Sequence, residues 1–196
     1  MIFYIEIIKI MKKLIYFIAL SCFFGFSQNQ VNLEESSVKW TGKQLSGKSH
    51  YGTLSFKSAE LSFSDEKLVG GGFIVDMTSL SVDDLTGRGK KSLEEHLKAD
   101  DFFSVNDFNF SELKLNSVAK ISENEYRAAG DLTIKGYTHE AEVSFYTKEG
   151  TKNMVAKLVF DRSKYDVQYG SGSFFENLGD KLILDDIELE VTLIMM

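Results

Sequence analysis

The sequence predicts an all-β fold, an eight-stranded antiparallel barrel with one short helix near the barrel mouth. The first observation is period-two alternation after residue 36, as in "DIELEVTLI", where Ile187, Leu189 and Val191 face away from the acidic residues between them. The second is that a convincing helix pattern occurs in only one stretch. The third is the complete absence of proline, so edge strands are not protected by proline, and closure of the sheet would remove those edges.

Eight strands follow from the alternation. In chain order we expect them at about 36–45, 50–63, 67–77, 107–120, 126–136, 139–147, 154–161 and 186–194. Short turns with Gly or Asn, such as "KGY" and "SENE", separate neighbouring strands and favour antiparallel pairing. Three consecutive glycines, Gly70 to Gly72, fit a sharply coiled strand or a close approach of another backbone or a ligand.

Two strands contain a phase shift. Leu54 and Phe56 occupy even positions, whereas Ala59, Leu61 and Phe63 occupy odd ones. In the fourth strand Phe108 and Phe110 are even, whereas Leu113 and Leu115 are odd. Each shift predicts a bulge or bend, which helps a sheet to close.

The helix is expected over 92–98, with Ser92 as N-cap, Glu95 at the capping-box position, and Leu93 and Leu97 on its buried face. It is followed by four phenylalanines in "DDFFSVNDFNF". A second apolar loop, "YDVQYGSGSFFENLGDKL", carries Phe174 and Phe175. Because both segments lie between strands, they would lie at barrel ends, where they would form a lid over a cavity or plug the end as ordinary core.

The N-terminal segment indicates export. "MKKLIYFIALSCFFGFS" has a basic start, an apolar run and small residues before Gln28, which is typical of a signal peptide. We therefore expect 1–27 to be removed, translation to start at Met11, residues 28–196 to form one domain, and the protein to be periplasmic or secreted. The alternative is a lipoprotein acylated at Cys22. Cleavage after Ser27 would leave no cysteine and no disulfide.

The net charge of the chain excludes some classes of binding partner. The whole chain carries 22 basic and 29 acidic residues; residues 1–27 hold three lysines and one glutamate, so 19 basic and 28 acidic residues remain and the net charge is −9. Such an acidic surface disfavours nucleic acid and anionic lipid. No direct insertion into a membrane is expected, and a connection to membranes would run through a lipid carried inside. Whether the protein forms a homodimer stays open.

Whether the barrel can bind a ligand depends on which side chains point into its interior. The expected inward set mixes large residues with small ones, namely Trp40, Phe56, Phe73, Phe145 and Phe160 with Gly42, Ala128, Ala141 and Ala156. An eight-stranded barrel has room for packed side chains or for one small ligand. Small residues would leave volume, but a tapered solid core also alternates large and small residues.

Five segments resemble a known family. "VKWTGKQLSGKSHYGTLSF", "GGGFIVDMTSL", "LEEHLKADDFFSV", "AAGDLTIKGYTHEAEV" and "FDRSKYDV" are similar, in order and spacing, to the YceI-like family of secreted, polyisoprenoid-binding, lipocalin-like proteins. The similarity extends from about Val38 to Leu193. It implies a lipocalin-like barrel that holds a long isoprenoid, such as a quinone tail, in a central tunnel. The chain departs from the pattern at Asn109, where the family usually has proline, which would alter an edge or turn.

On this basis the expected ligand-binding residues fall into three groups and a single histidine. The tunnel wall comprises Trp40, Phe56, Phe73, Leu132, Ile134, Phe145 and Phe160, and the closing group comprises Leu97, Phe102 and Phe103. Tyr165 and Tyr169 are expected at the mouth, with the ring on the lipid and the hydroxyl in water. His50 matches the family's H-x-G position and would either bond a ligand head group or serve the structure.

No catalytic or metal site is expected. None of His50, His96 and His139 has another histidine or a glutamate at ligand spacing, and no nucleophile has a nearby base. Arg162 suggests a structural ion pair, with Asp131 or Asp76 as the informative partners. We therefore expect a non-enzymatic carrier or sequestering protein without a cofactor that holds one isoprenoid or isoprenoid quinone. The alternatives are a solid-core structural or stress-response module that acts through protein contacts, and an enzyme acting on the lipid.

Overall fold

The computed structural model describes the backbone of residues 27–196 and the side chains of residues 31–196. Within that part of the chain there are nine strands and one α-helix. In order they are β1 Ser27–Gln30, β2 Ser37–Lys43, β3 Ser49–Ser64, β4 Lys67–Asp76, α1 Gly87–Lys98, β5 Phe110–Ser122, β6 Glu125–Ile134, β7 Tyr137–Thr147, β8 Met154–Asp161 and β9 Asp186–Leu193. The expected signal peptide, the start at Met11 and Cys22 lie outside the described residues.

Eight strands close into an antiparallel barrel, which confirms the predicted fold. Going round the barrel, the order is β3, β2, β9, β8, β7, β6, β5 and β4, and β4 pairs with β3 to close the ring. Strand β1 stands outside this ring and pairs only with the far end of β3, from Ser27 opposite Phe63 to Gln30 opposite Glu60. The alternation pattern does not predict β1, because its four residues are all polar.

The first predicted bend is confirmed and the second is misplaced. The register of β3 against β4 shifts between Phe56 and Ser58. In β5 the register against β6 shifts between Leu115 and Ser117 and again between Lys120 and Ser122, and not between Phe110 and Leu113. The expectation was wrong because Phe110 is exposed and therefore does not mark the inward face.

The helix begins earlier than predicted. Its N-cap is Thr86, with extended backbone, and not Ser92. The first turn, from Gly87, is polar and exposed, so it has no apolar periodicity that would reveal it. The ion pairs Lys90–Glu94 and Lys91–Glu95, four residues apart, support this polar face. No helix within residues 27–196 combines the length and apolarity needed to cross a membrane.

Glycine allows the tight coiling between β3 and β4. A Cβ on Gly71 would lie 2.7 Å from the backbone oxygen of Glu60 and 3.0 Å from Cδ2 of Leu61, whereas one on Gly72 would meet nothing within 4 Å. The close approach of another backbone, one of the two predictions for this glycine run, is therefore found at Gly71.

Candidate functional site

The barrel encloses an apolar cavity. Its volume is about 350 Å³. All the predicted ligand-binding residues except Tyr165 lie in its wall, namely Trp40, His50, Phe56, Phe73, Leu97, Phe102, Phe103, Leu132, Ile134, Phe145, Phe160 and Tyr169. The structure brings these side chains together, and their contact with a ligand remains a prediction.

The cavity opens at one end of the barrel, which we call the mouth, where β2 ends at Lys43, β3 begins at Ser49 and α1 lies, and it reaches inward to Val38 of β2 and Leu193 of β9. At the opposite end, which we call the packed end, inward side chains are buried but do not border the cavity: Leu61, Leu68, Leu115, Tyr126 and Met154. The sequence left open whether the interior is hollow or solid. The barrel is hollow from the mouth inward and solid at the packed end.

Three phenylalanine rings line the wall in series. Phe56 lies 6.1 Å from Phe73, and Phe73 lies 6.3 Å from Phe145, measured between ring centroids. Two of the small inward residues, Gly42 and Ala156, border the cavity, whereas Ala128 and Ala141 are buried without reaching it. Small side chains thus create space at two of the four positions expected.

The helix and the segment after it close the mouth. Leu93, His96 and Leu97 of α1 border the cavity together with Phe102 and Phe103. The rings of Phe102 and Phe103 lie 5.1 Å apart, and that of His96 lies 5.7 Å from Phe102.

The other phenylalanines of the two loops do not belong to this lid. Phe108, Phe110, Phe174 and Phe175 are exposed, and none borders the cavity. The expectation that Phe174 and Phe175 would cap the cavity or plug the barrel end is therefore wrong. From their own loop Tyr169 reaches the cavity, with its ring centroid 4.3 Å from that of His96.

Tyr165 is a correction to the predicted site. It is buried, stands outside the cavity wall and packs edge-on against Phe160 and His139, with centroids 5.6 Å and 5.1 Å away. Burial and the nearby charge of Asp161 raise the pKa of its phenol. It lies in a short 3-10 helix, Arg162–Tyr165, capped by Asp161, which turns the chain inward where the sequence pattern suggested a surface position.

Arg162 connects distant parts of the loop between β8 and β9, residues 162–185. Its side chain is 0% exposed and donates hydrogen bonds to the backbone carbonyls of Val167, Tyr169, Ile183 and Leu184, at 2.9–3.3 Å.

The charged partner of Arg162 is Asp185. Their charged groups are 3.3 Å apart, and the guanidinium lies 5.6 Å from the ring centroid of Phe102. Burial lowers the pKa of Arg162, and the charges of Asp185 and Asp161 oppose this shift. The structural ion pair is therefore present, but its partner is neither Asp131 nor Asp76. The sequence spacing gave no sign that the loop after Tyr165 folds back over this side chain.

His50 is paired with Asp84 at the mouth. Nδ1 of His50 lies 2.7 Å from Oδ2 of Asp84, and Oδ1 of Asp84 accepts the backbone N–H of Tyr51 at 3.0 Å. Burial pulls the pKa of Asp84 upward, but the hydrogen bonds from His50 and Tyr51, with the charge of His50, outweigh it and lower the pKa below 3.8. His50 faces inward, because it shares its side of β3 with Leu54 and Phe56.

Several cavity residues were not anticipated from the sequence. Leu80 and Ile183 come from segments without regular alternation, so no pattern identified them. Ser111 was missed because it is polar; its hydroxyl is buried and has no hydrogen-bond partner among the described residues. Within residues 31–196 no group of three or more His, Cys, Asp or Glu side chains could hold a metal ion.

These features define a class: a closed antiparallel β-barrel with an apolar cavity that opens at one end, where a helix lies over the mouth. Comparison with known sequences is consistent with it, because the family model for the YceI-like domain matches residues 30–195. The chain belongs to the YceI-like family. No curated protein matches the sequence significantly.

Solved structures share the fold at low sequence identity. BcnA from Burkholderia cenocepacia is 22% identical with a TM-score of 0.64, covering 83% of this chain and 98% of BcnA. The YceI protein of Campylobacter jejuni is 19% identical with a TM-score of 0.54, over 72% and 82% of the two chains. A polyisoprenoid binding domain from Saccharophagus degradans is 10% identical with a TM-score of 0.55, over 86% and 97%.

Proposed function

We propose that this protein binds one long apolar lipid, an isoprenoid or an isoprenoid quinone, and carries or sequesters it outside the cytoplasm without chemical turnover. The observation that carries the proposal is the hollow mouth end of the barrel. Its wall is formed largely by aliphatic and aromatic side chains. Removing a CH₂ group from water into such a wall contributes about 0.8 kcal/mol.

The size of the cavity sets the length of the buried tail. An apolar cavity of about 150 Å³ takes up benzene, so roughly 25 Å³ serves each carbon and a cavity of about 350 Å³ takes about 14 carbons. This corresponds to roughly three isoprene units. A longer chain would leave its remaining carbons at the mouth, against Phe102, Phe103 and Tyr169.

The residues have distinct tasks in this proposal. Trp40, Phe56, Phe73, Leu132, Ile134, Phe145 and Phe160 contact the tail, and Leu97, Phe102 and Phe103 keep water from it. Family membership supports the proposal, and so does the fold shared with a domain described as polyisoprenoid binding. A module with a solid core would not need the cavity, which counts against the protein-contact alternative.

The test is to extract purified protein with organic solvent, and to follow uptake of farnesol and of a short-chain isoprenoid quinone by native mass spectrometry. We expect a co-purified apolar molecule, or uptake of one added ligand per chain. Phe103→Ala, in the cavity wall, should weaken retention, whereas Phe174→Ala, at an exposed phenylalanine, should not. A protein that is empty after purification and takes up neither compound defeats the proposal, as does equal retention in the two variants.

The site of action needs a separate test. Cells that produce the full chain should release the protein with the periplasm or medium, with a mature chain that begins at Gln28. A lipid-modified N-terminus at Cys22 would support the lipoprotein alternative instead.

A further inference from the structure

His50 borders the cavity and has one ring nitrogen without a hydrogen-bond partner among the described residues. It stands opposite Gly42 in the pairing of β2 with β3, at the mouth, and borders the cavity. Nδ1 is engaged by Asp84 at 2.7 Å. Within residues 31–196 no group bonds Nε2 of this histidine.

Asp84 decides which nitrogen carries the proton. A carboxylate whose pKa is lowered stays ionised at neutral pH and can only accept, so Nδ1 of His50 must donate to it. In the neutral ring the other nitrogen, Nε2, then carries a lone pair and accepts. Asp84 is itself held in place, because its second oxygen accepts the N–H of Tyr51 at 3.0 Å.

Of the other polar residues that border the cavity, Glu112 and Tyr169 are exposed, and Ser111 carries a buried hydroxyl without a hydrogen-bond partner among the described residues. Lys43 is bonded to Glu188, Gln44 accepts from Ser46, and His96 lies 3.3 Å from an exposed Asp101. His50 therefore combines a fixed orientation, a fixed tautomer and a place in the cavity wall.

We propose that Nε2 of His50 is the head-group site of the cavity and accepts a hydrogen bond from a hydroxyl, so that the protein selects isoprenoid alcohols and quinols over ligands of the same tail whose head group only accepts. This rests on the proposed lipid binding and adds the class of head group. A quinone carbonyl or an ether oxygen has no proton to donate and leaves Nε2 without a partner.

The test compares farnesol with its methyl ether, which share the tail and differ in the donor. We expect the wild-type protein to bind farnesol about threefold to tenfold more tightly by calorimetry, the value of one net hydrogen bond. His50→Phe should bring this ratio close to one.

Asp84→Asn separates hydrogen bonding from shape. The amide oxygen should keep the N–H of Tyr51, which leaves the amide nitrogen to donate to Nδ1 of His50. The proton then moves to Nε2, which becomes a donor and serves alcohol and ether oxygens alike, so the preference should disappear. A preference caused by a steric clash with the extra methyl group of the ether would instead persist in Asp84→Asn, because Asn has nearly the same shape as Asp. Ser111→Ala removes the unpaired hydroxyl of the cavity wall and should leave the preference intact.

The outcomes are distinct. If the wild type binds neither compound, the proposed function fails; if it binds both equally, only the head-group site fails. A preference that survives in Asp84→Asn, or that disappears in Ser111→Ala, overturns the assignment to His50. Should a variant not fold, nitrogen-15 spectra of wild-type His50 serve instead: Nδ1 should be protonated and the Nε2 signal should move with farnesol and not with the ether. Unchanged spectra refute the site.

Discussion

Lengthening one alanine that borders the cavity and one that does not tests whether the cavity is open space. Ala156 on β8 is buried and borders the cavity, whereas Ala128 on β6 is equally buried but does not. We expect Ala156→Leu to leave the free energy of unfolding unchanged or to raise it, and Ala128→Leu to lower it. The two substitutions are chemically identical, so a difference between them reports on local space.

The magnitudes follow from the cavity. Three added carbons at position 156 should raise the free energy of unfolding by up to roughly 2.4 kcal/mol, because burial of each contributes about 0.8 kcal/mol. At position 128 overpacking costs about 1–3 kcal/mol. Leu at position 156 also takes about a fifth of the space for roughly 14 carbons, so farnesol should bind roughly 50-fold more weakly if three of its carbons are displaced.

Urea denaturation followed by fluorescence provides the stability measurement, because Trp40 is the single tryptophan and lies in the cavity wall. Calorimetry with farnesol provides the affinity. Equal destabilisation by both substitutions, together with unchanged farnesol affinity in Ala156→Leu, would refute the open space beside Ala156.

Three further predictions concern stability. Arg162→Ala should lower the free energy of unfolding by about 3–5 kcal/mol, because it leaves Asp185 and four carbonyls without their buried donor. Folding lowers the pKa of Asp84, so its carboxylate should stabilise the fold above the unfolded value of 3.8, and this stabilisation should be lost as the pH falls through the lower folded value. The difference in free energy of unfolding between wild type and Asp84→Asn should therefore stay constant at about pH 5–7 and shrink below about pH 4. Gly71→Ala should cost about 1–3 kcal/mol, and Gly72→Ala, where no atom lies within 4 Å, should change stability by less than about 0.5 kcal/mol.

Urea titrations at fixed pH check all three. Wild-type stability in Arg162→Ala would show that the loop does not depend on its buried guanidinium. For Asp84 the contrary result is a stability gap of the same size at about pH 3 and pH 7. Equal effects of alanine at Gly71 and Gly72 would contradict the close approach of β3 to β4.

The barrel strands could be predicted because alternation reports directly on which face is buried. Phe145 and Phe160 lie in the cavity wall because each continues the inward phase of its strand. Alternation misleads where an apolar side chain is exposed or where a regular element is polar throughout. Phe110 is apolar and exposed, so it misplaced a bend, and the polar first turn of α1 after Thr86 was overlooked.

The polar part of the site depends on contacts between distant segments. Asp84 reaches His50 across 34 positions, and Arg162 meets Leu184 and Ile183 across 22 and 21. Neither pairing has a local pattern, so His50 could be nominated by resemblance but its tautomer could not. Tyr165 was misjudged for the same reason, since its burial arises from a loop that folds over it.

The packed end of the barrel separates the stability of the fold from the shape of the cavity. Leu61, Leu68 and Met154 supply a foundation that does not depend on what fills the cavity, so substitutions around Ala156 or Gly42 could reshape the cavity while the foundation persists. In a barrel of this kind the cavity can change shape through single substitutions while the packed end keeps the fold stable, and the same substitutions are open to protein engineering.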